Sequence, residues 1–208
     1  MLRRHSQRGD TIIEVMFAVA VFAMVAVGCL SIMNQGTATA QRSLEVTLVR
    51  QQMDAQAETL RYMHQAYVAS YDKNITPTGT AAEWVKITNT SAGKGATTPS
   101  PFGVVNGDVC PSVTPGEKPF ILNAHTATLW SSTPAMTPPS GISSPPFAEV
   151  IYNSDSSIAQ AYGLWIESIP STGADTGFVD FHIRACWDSP GSRAPVTLGT
   201  IVRLYEPR

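Results

Sequence analysis

The chain has 208 residues and a formal charge of −2, a length that suits one modest folded domain with a helical extension and a charge that argues against nucleic acid as the main partner. The positive charge is concentrated at the start: residues 1–9 hold Arg3, Arg4 and Arg8 and no acid, so the remainder stands at −5. Proline and glycine number 15 each, yet no proline interrupts residues 10–76. The chain therefore divides into an apolar and then helical first third and a loop-rich remainder.

The N-terminal stretch reads MLRRHSQRGDTIIEVMFAVAVFAMVAVGCLSIM. Val15 to Met33 carries no formal charge, and at about 1.5 Å of rise per residue it approaches the roughly 30 Å of a bilayer core. With Arg3, Arg4 and Arg8 before it and nothing as basic just after, the leader is held in the cytoplasm and the rest is sent outward. A cleavable signal peptide is the competing reading, with GCLSIMNQGTATAQ as a loose cleavage region. The apolar run is long for that, and the helical pattern continues through the supposed cut. Cys29 within GCLS invites a lipidation reading, against its use as a small apolar filler in a membrane helix. Neither reading explains why Glu14 stands at the start of an apolar run, where a carboxylate must lose water or find a partner.

The stretch RGDTIIEVMFAVAVFAMVAV resembles the N-terminal segment of the type IV pilin and type II secretion pseudopilin superfamily. In that family a short basic leader ends in glycine, a dedicated prepilin peptidase cuts after it, and a glutamate stands fifth in the mature chain. Gly9 matches the residue before the cut, Asp10 becomes the first mature residue, and Glu14 matches the glutamate. The family's usual first residue is an N-methylated phenylalanine or methionine, from which Asp10 departs. The resemblance implies that the new amino group of one subunit lies near the glutamate of its neighbour, so that two charges costly alone in an apolar core offset one another. It also implies a pilin-like α+β fold, in which a long N-terminal transmembrane-to-extracellular helix packs against a C-terminal antiparallel β-sheet. The expected organisation is a leader at 1–9, an assembly helix at 10–33, an extramembrane helix at 34–75 and a β-rich outer domain at 76–208. The expected function is that of a minor structural subunit of a type IV pilus-like filament. Its partners are then the prepilin peptidase, other pilin subunits and the lipid membrane before assembly. A type II secretion pseudopilin and an unprocessed membrane-anchored binding domain are the alternatives. Position in the filament and any ligand, whether DNA or a surface, stay open.

Beyond the anchor, Val46, Val49, Met53, Ala57, Leu60, His64, Tyr67 and Tyr71 recur at steps of three and four, which predicts one helical packing stripe. An unbroken helix from Thr11 to about Ser70 would span roughly 90 Å. Asn34, Gly36, Thr37 and Thr39 mark the place where it is expected to bend or fray. His64 reads as a satisfied helix histidine. Arg42, Arg50 and Arg61, with Glu45, Asp54 and Glu58, read as a solvated mixed-charge face.

YDKNITPTG is expected to end the helix, and WVKITN, KPFILNA, TATLW, FAEVIYN, AYGLWIES, GFVDFHIRACW and GTIVRLYE read as strands. In Phe178–Trp187 the residues Val179, Phe181, Ile183, Ala185 and Trp187 alternate with Asp180, His182, Arg184 and Cys186, which predicts a sheet covered on one side. KITNTSAGKGATTPSPFG and SSTPAMTPPSGISSPP read as surface loops. Cys110 and Cys186 are the only cysteines outside the anchor, and export favours a disulfide between them. Their number and the scattered histidines give no metal spacing, and no GxSxG, HExxH or glycine-rich phosphate loop is present. Although His125 and His182 have acids or hydroxyls nearby in sequence, neither grouping amounts to a catalytic motif. No enzyme activity and no cofactor are expected.

Overall fold

Sixty residues free of proline form one helix, α1, Asp10–Ala69. The structure, a computed structural model, describes residues 10–72, 76–89, 110, 119–130, 147–170, 177–189 and 194–207. α1 stays helical through Asn34, Gly36, Thr37 and Thr39, so the fraying expected there does not occur. The hydroxyls of Thr37 and Thr39 donate back to the carbonyls of Asn34 and Gln35 at 3.0 and 2.9 Å, so these polar side chains are satisfied within the helix. The chain divides into two units, Met1–Ser43 and Leu44–Arg208.

Within the second unit, α1 buries Glu45, Val49, Met53, Gln56, Ala57, Thr59, Leu60 and Met63, a stripe at helical spacing in which Val49, Met53, Ala57 and Leu60 meet the expectation, while Val46, His64, Tyr67 and Tyr71 are half-buried. The stripe contains three polar residues, Glu45, Gln56 and Thr59, that spacing of apolar residues alone passes over. Gln56 is one of them. Its Nε2 donates to the Leu122 carbonyl at 2.8 Å and its Oε1 accepts from the Leu122 N–H at 2.9 Å, so one amide replaces a strand neighbour for that residue.

The segment WVKITN is a correction: it lies in a second helix, α2, Thr80–Asn89, and not in a strand. Val85, Ile87 and Thr88 favour a strand locally, but Ala81, Trp84 and Ile87 are buried at helical spacing. Gly79 has φ +59° and its carbonyl accepts from the N–H groups of Ala82 and Glu83, which starts the helix. Tertiary burial thus overrides local propensity.

Seven strands follow: β1 Ile121–Asn123, β2 Thr128–Trp130, β3 Glu149–Tyr152, β4 Ile158–Tyr162, β5 Leu164–Pro170, β6 Phe178–Trp187 and β7 Val196–Tyr205. Two antiparallel hairpins, β1-β2 and β3-β4, accompany an antiparallel sheet of order β5-β6-β7. AYGLWIES, expected as one strand, is split between β4 and β5 at Gly163, whose φ is +57°. A Cβ there would lie 2.1 Å from the Cys186 carbonyl oxygen, and the Gly163 carbonyl accepts from the Cys186 N–H at 2.7 Å. Only glycine permits this break.

The core joins Leu60 and Met63 of α1, Trp84 and Ile87 of α2, Phe120, and Ile166, Phe181 and Ile183 of the sheet. Phe181 lies 5.5 Å from Trp84 and 6.5 Å from Phe120 between ring centroids. Each such side chain, fully removed from water, contributes about 1.5–3 kcal/mol. The architecture is α+β, a long N-terminal apolar helix followed by small antiparallel sheets.

Candidate functional site

In the first unit, α1 carries an unbroken exposed apolar surface. Ile12, Ile13, Phe17, Phe22, Met24, Leu30 and Met33 are all exposed, Met24 to 76%. By length and composition this part of α1 is able to cross a membrane. A helix apolar all round needs lipid or protein about it, because water around these side chains is unfavourable over the whole circumference. Glu14 sits one turn into α1 and has no ion pair or hydrogen bond among the described residues. Gly9, the expected cleavage residue, lies outside the described residues, and Asp10 opens α1.

Glu45, expected on a solvated face, is buried at 7% exposure. Its Oε2 accepts from Trp187 Nε1 at 3.1 Å and from Ser189 Oγ at 2.6 Å. The reason is geometric: the end of β6 brings two donors to α1, and a carboxylate so satisfied tolerates burial. Glu45→Ala strands both donors and is expected to cost about 1–3 kcal/mol. Glu45→Gln keeps an acceptor and is expected to cost clearly less. Denaturant unfolding of the full chain in detergent measures both, and an Ala variant as stable as wild type would remove the clamp.

The face of β6 opposite the main core is also a correction. It is covered toward its C-terminal end, where Arg184 and Cys186 are buried together with Trp165 and Glu167. Cys186 is bonded to Cys110 with a Cα–Cα distance of 5.7 Å, as expected from export, and packs with Trp165 in a small second core. Arg184 Nε lies 3.5 Å from Glu167 Oε2, while Glu167 Oε1 accepts from Trp165 Nε1 at 2.8 Å. These residues are register neighbours, Trp165 opposite Arg184 and Glu167 opposite His182. Burial lowers the His182 pKa, and the nearby Arg184 cation adds to the effect. Further along, the Arg203 guanidinium donates to both Asp180 oxygens at 2.8 Å and lies 4.0 Å over the Phe178 ring. Its hydrogen bonds lower the Asp180 pKa despite partial burial.

The other two histidines among the described residues, His64 and His125, have structural surroundings. His64 Nε2 donates to the Tyr205 carbonyl at 2.7 Å, and its ring meets Trp84 edge-on at 5.0 Å. His125 stacks on Tyr152 at 4.0 Å, beside a depression of about 520 Å³ lined also by Glu58, Thr59 and Tyr62. Among the described residues no group of three His, Cys, Asp or Glu side chains is placed to hold a metal ion. The loop segment 131–146 and most of the loop ending at Gly103 lie outside the described residues. In comparisons with known proteins, no family model, curated protein or solved structure matches the chain.

Proposed function

We propose that this chain is a minor structural subunit of a type IV pilus-like filament, exported across a membrane, cleaved after Gly9 by a prepilin peptidase and assembled through α1. The observation that carries this reading is the exposed apolar surface of Ile12–Met33 with one carboxylate, Glu14, near its start. Before assembly, lipid covers that surface. In the filament, the helices of other subunits take its place, and the amino group freed at Asp10 of one subunit offsets Glu14 of another. The second unit follows on the outside of the membrane, where the Cys110–Cys186 disulfide forms and persists. The Asp10 carboxylate stands beside the same amine, which weakens the pairing and suits a subunit used sparingly rather than as the repeating shaft.

Cleavage is the direct test. Intact-mass and N-terminal peptide measurements on the natural protein are expected to lack residues 1–9 in cells with an active prepilin peptidase and to retain them in cells without it. Full-length chain in both backgrounds would rule out a processed filament subunit and leave a simple membrane anchor.

A further inference from the structure

Between α1 and the turn that joins β1 to β2 lies the depression of about 520 Å³ beside His125, and every residue that lines it is among those described. Its two walls are rigid for different reasons. On α1, Ala55, Glu58, Thr59 and Tyr62 stand at i, i+3, i+4 and i+7 and so share one face, with Ala55 too small to fill the space beside them. The turn Ala124–Ala127 is fastened instead by Asn123, which is buried. Its Oδ1 accepts from the N–H groups of His125 and Thr126 at 2.9 and 3.2 Å, its carbonyl accepts from the Ala127 N–H at 2.8 Å, and its Nδ2 donates to the Ser156 carbonyl at 2.8 Å. The Ala124 N–H donates to the Tyr152 hydroxyl at 3.3 Å, so all four amides of the turn are committed. Ala127 also takes φ +52°, a left-handed conformation that is costly for a residue with a Cβ and that glycine would adopt freely. Strain kept in a turn that lines a cavity points to a use for the shape of that turn.

The lining narrows the chemistry of what fits. No lysine or arginine lines the depression, so nothing there holds an anion. Its one carboxylate, Glu58, is already paired with Arg61, which removes the excess negative charge that a cation requires. Its apolar surface is limited to alanine and threonine methyl groups and the Tyr62 ring, too little to enclose an aliphatic chain. What is left is a set of neutral polar groups, the hydroxyls of Thr59, Thr80 and Thr126 and the His125 imidazole, beside an aromatic residue that is 58% exposed. Thr59 gives its hydroxyl hydrogen to the Ala55 carbonyl at 2.8 Å and therefore meets the cavity as an acceptor.

We infer that this depression binds a neutral pyranose sugar unit. A pyranose carries a face of C–H groups, whose partial positive charge suits the negative face of the Tyr62 ring, and an edge of hydroxyls that both donate and accept. Adjacent hydroxyls of the sugar donate to Glu58, whose carboxylate keeps lone pairs beyond the one that Arg61 uses, and to Thr59. His125 and Thr126 close the other side from a turn that needs no rearrangement, so little ordering cost is left to binding. With one ring in an open site, the dissociation constant falls in the millimolar range. This inference stands whether or not the chain assembles into a filament.

The probe is methyl β-D-galactopyranoside, whose axial ring hydroxyl gathers C–H groups on the opposite face. It is titrated into the full chain in micelles of a zwitterionic detergent free of sugar, and amide shifts are followed by NMR. The amides of Ala124–Ala127 and Glu58–Tyr62 are expected to move and to saturate, while sorbitol, which has hydroxyls but no rigid C–H face, leaves them in place. Tyr62→Ala should weaken binding about tenfold, and Tyr62→Phe, which keeps the ring, should retain it. Because Tyr62 is exposed, both variants should melt with the wild type, which separates lost binding from lost folding. Methyl galacturonide, the same ring with a carboxylate, should bind more weakly than the neutral sugar. Shifts unmoved by the galactoside would overturn the inference, as would equal shifts with sorbitol, which reduce the effect to that of any polyol. Undiminished binding by Tyr62→Ala would remove the stacking surface, and tighter binding of the galacturonide would show an anion site in place of a neutral one.

Discussion

Glu14→Gln is expected to leave membrane insertion and leader cleavage intact while incorporation into filaments falls about a hundredfold. Glutamine removes the charge and nearly preserves the shape, so any loss is electrostatic. If the helix were only an anchor, removing a carboxylate from an apolar boundary would leave insertion unchanged or slightly favoured. In a filament, the neighbour's amino terminus would be left in an apolar surround without its countercharge, and breaking such a pair costs about 3–5 kcal/mol. The lower end applies here because the Asp10 carboxylate retains some attraction for the amine of its own chain; about 3 kcal/mol corresponds to the hundredfold stated. The measurement is the amount of subunit in sheared filaments against that retained in membranes, for wild type and E14Q, with cleavage verified in both. Equal incorporation would sink the pairing role of Glu14. Adding Asp10→Ala to E14Q separates the two carboxylates: the double variant should incorporate less than E14Q alone.

How far the sequence discloses this molecule depends on whether a residue's partner is near or far along the chain. The α1 stripe is legible because its period is local: Val49, Met53, Ala57 and Leu60 reveal their common face by spacing alone. Glu45 and Gln56 lie on the same face and are not legible, because what permits their burial is Trp187, Ser189 and Leu122, far away in sequence. Polar residues at stripe positions were the available signal, since a helix face that continues through Glu45 and Gln56 requires donors and acceptors opposite. Trp84–Asn89 misleads for the converse reason. Its β-branched residues argue for a strand, while the helical spacing of Ala81, Trp84 and Ile87 becomes decisive only once α1 and the sheet offer a surface to cover. Gly163 left a clear mark inside an apolar run, where a lone glycine signals a break or a close backbone approach. The alternation of β6 locates one buried face correctly. Cys186 is covered because the disulfide brings Cys110 onto the other face, and Arg184 is buried opposite Trp165 and beside Glu167; no periodicity within β6 encodes either.

Removing the cross-link is expected to produce the largest loss of stability in the second unit. Cys110 and Cys186 are 76 residues apart in sequence, and closing a loop of that length removes unfolded-state entropy amounting to about 4 kcal/mol. For a unit of this size, each kcal/mol lowers Tm by about 2–4 °C, so reduction should lower Tm by roughly 10 °C. The loss should extend beyond the unfolded chain, because Cys110, Cys186 and Trp165 form a core of their own against the buried pair Arg184 and Glu167. Releasing Cys110 opens that patch to water. The ion pair then gains hydration, but Trp165, at 1% exposure, loses its apolar cover. Cys110→Ala with Cys186→Ala keeps small apolar side chains at both positions and isolates the cross-link, whereas Cys110→Asp with Cys186→Ala adds a charge to the same core. The alanine pair should reproduce the melting shift of the reduced protein, and the aspartate variant should melt lower still with red-shifted tryptophan emission. Thermal unfolding of the full chain in detergent, with and without reductant, reads both effects. If reductant cleaved the bond and Tm did not change, the disulfide would contribute nothing to the stability of the unit, and packing around Trp165 would have to hold that face without it.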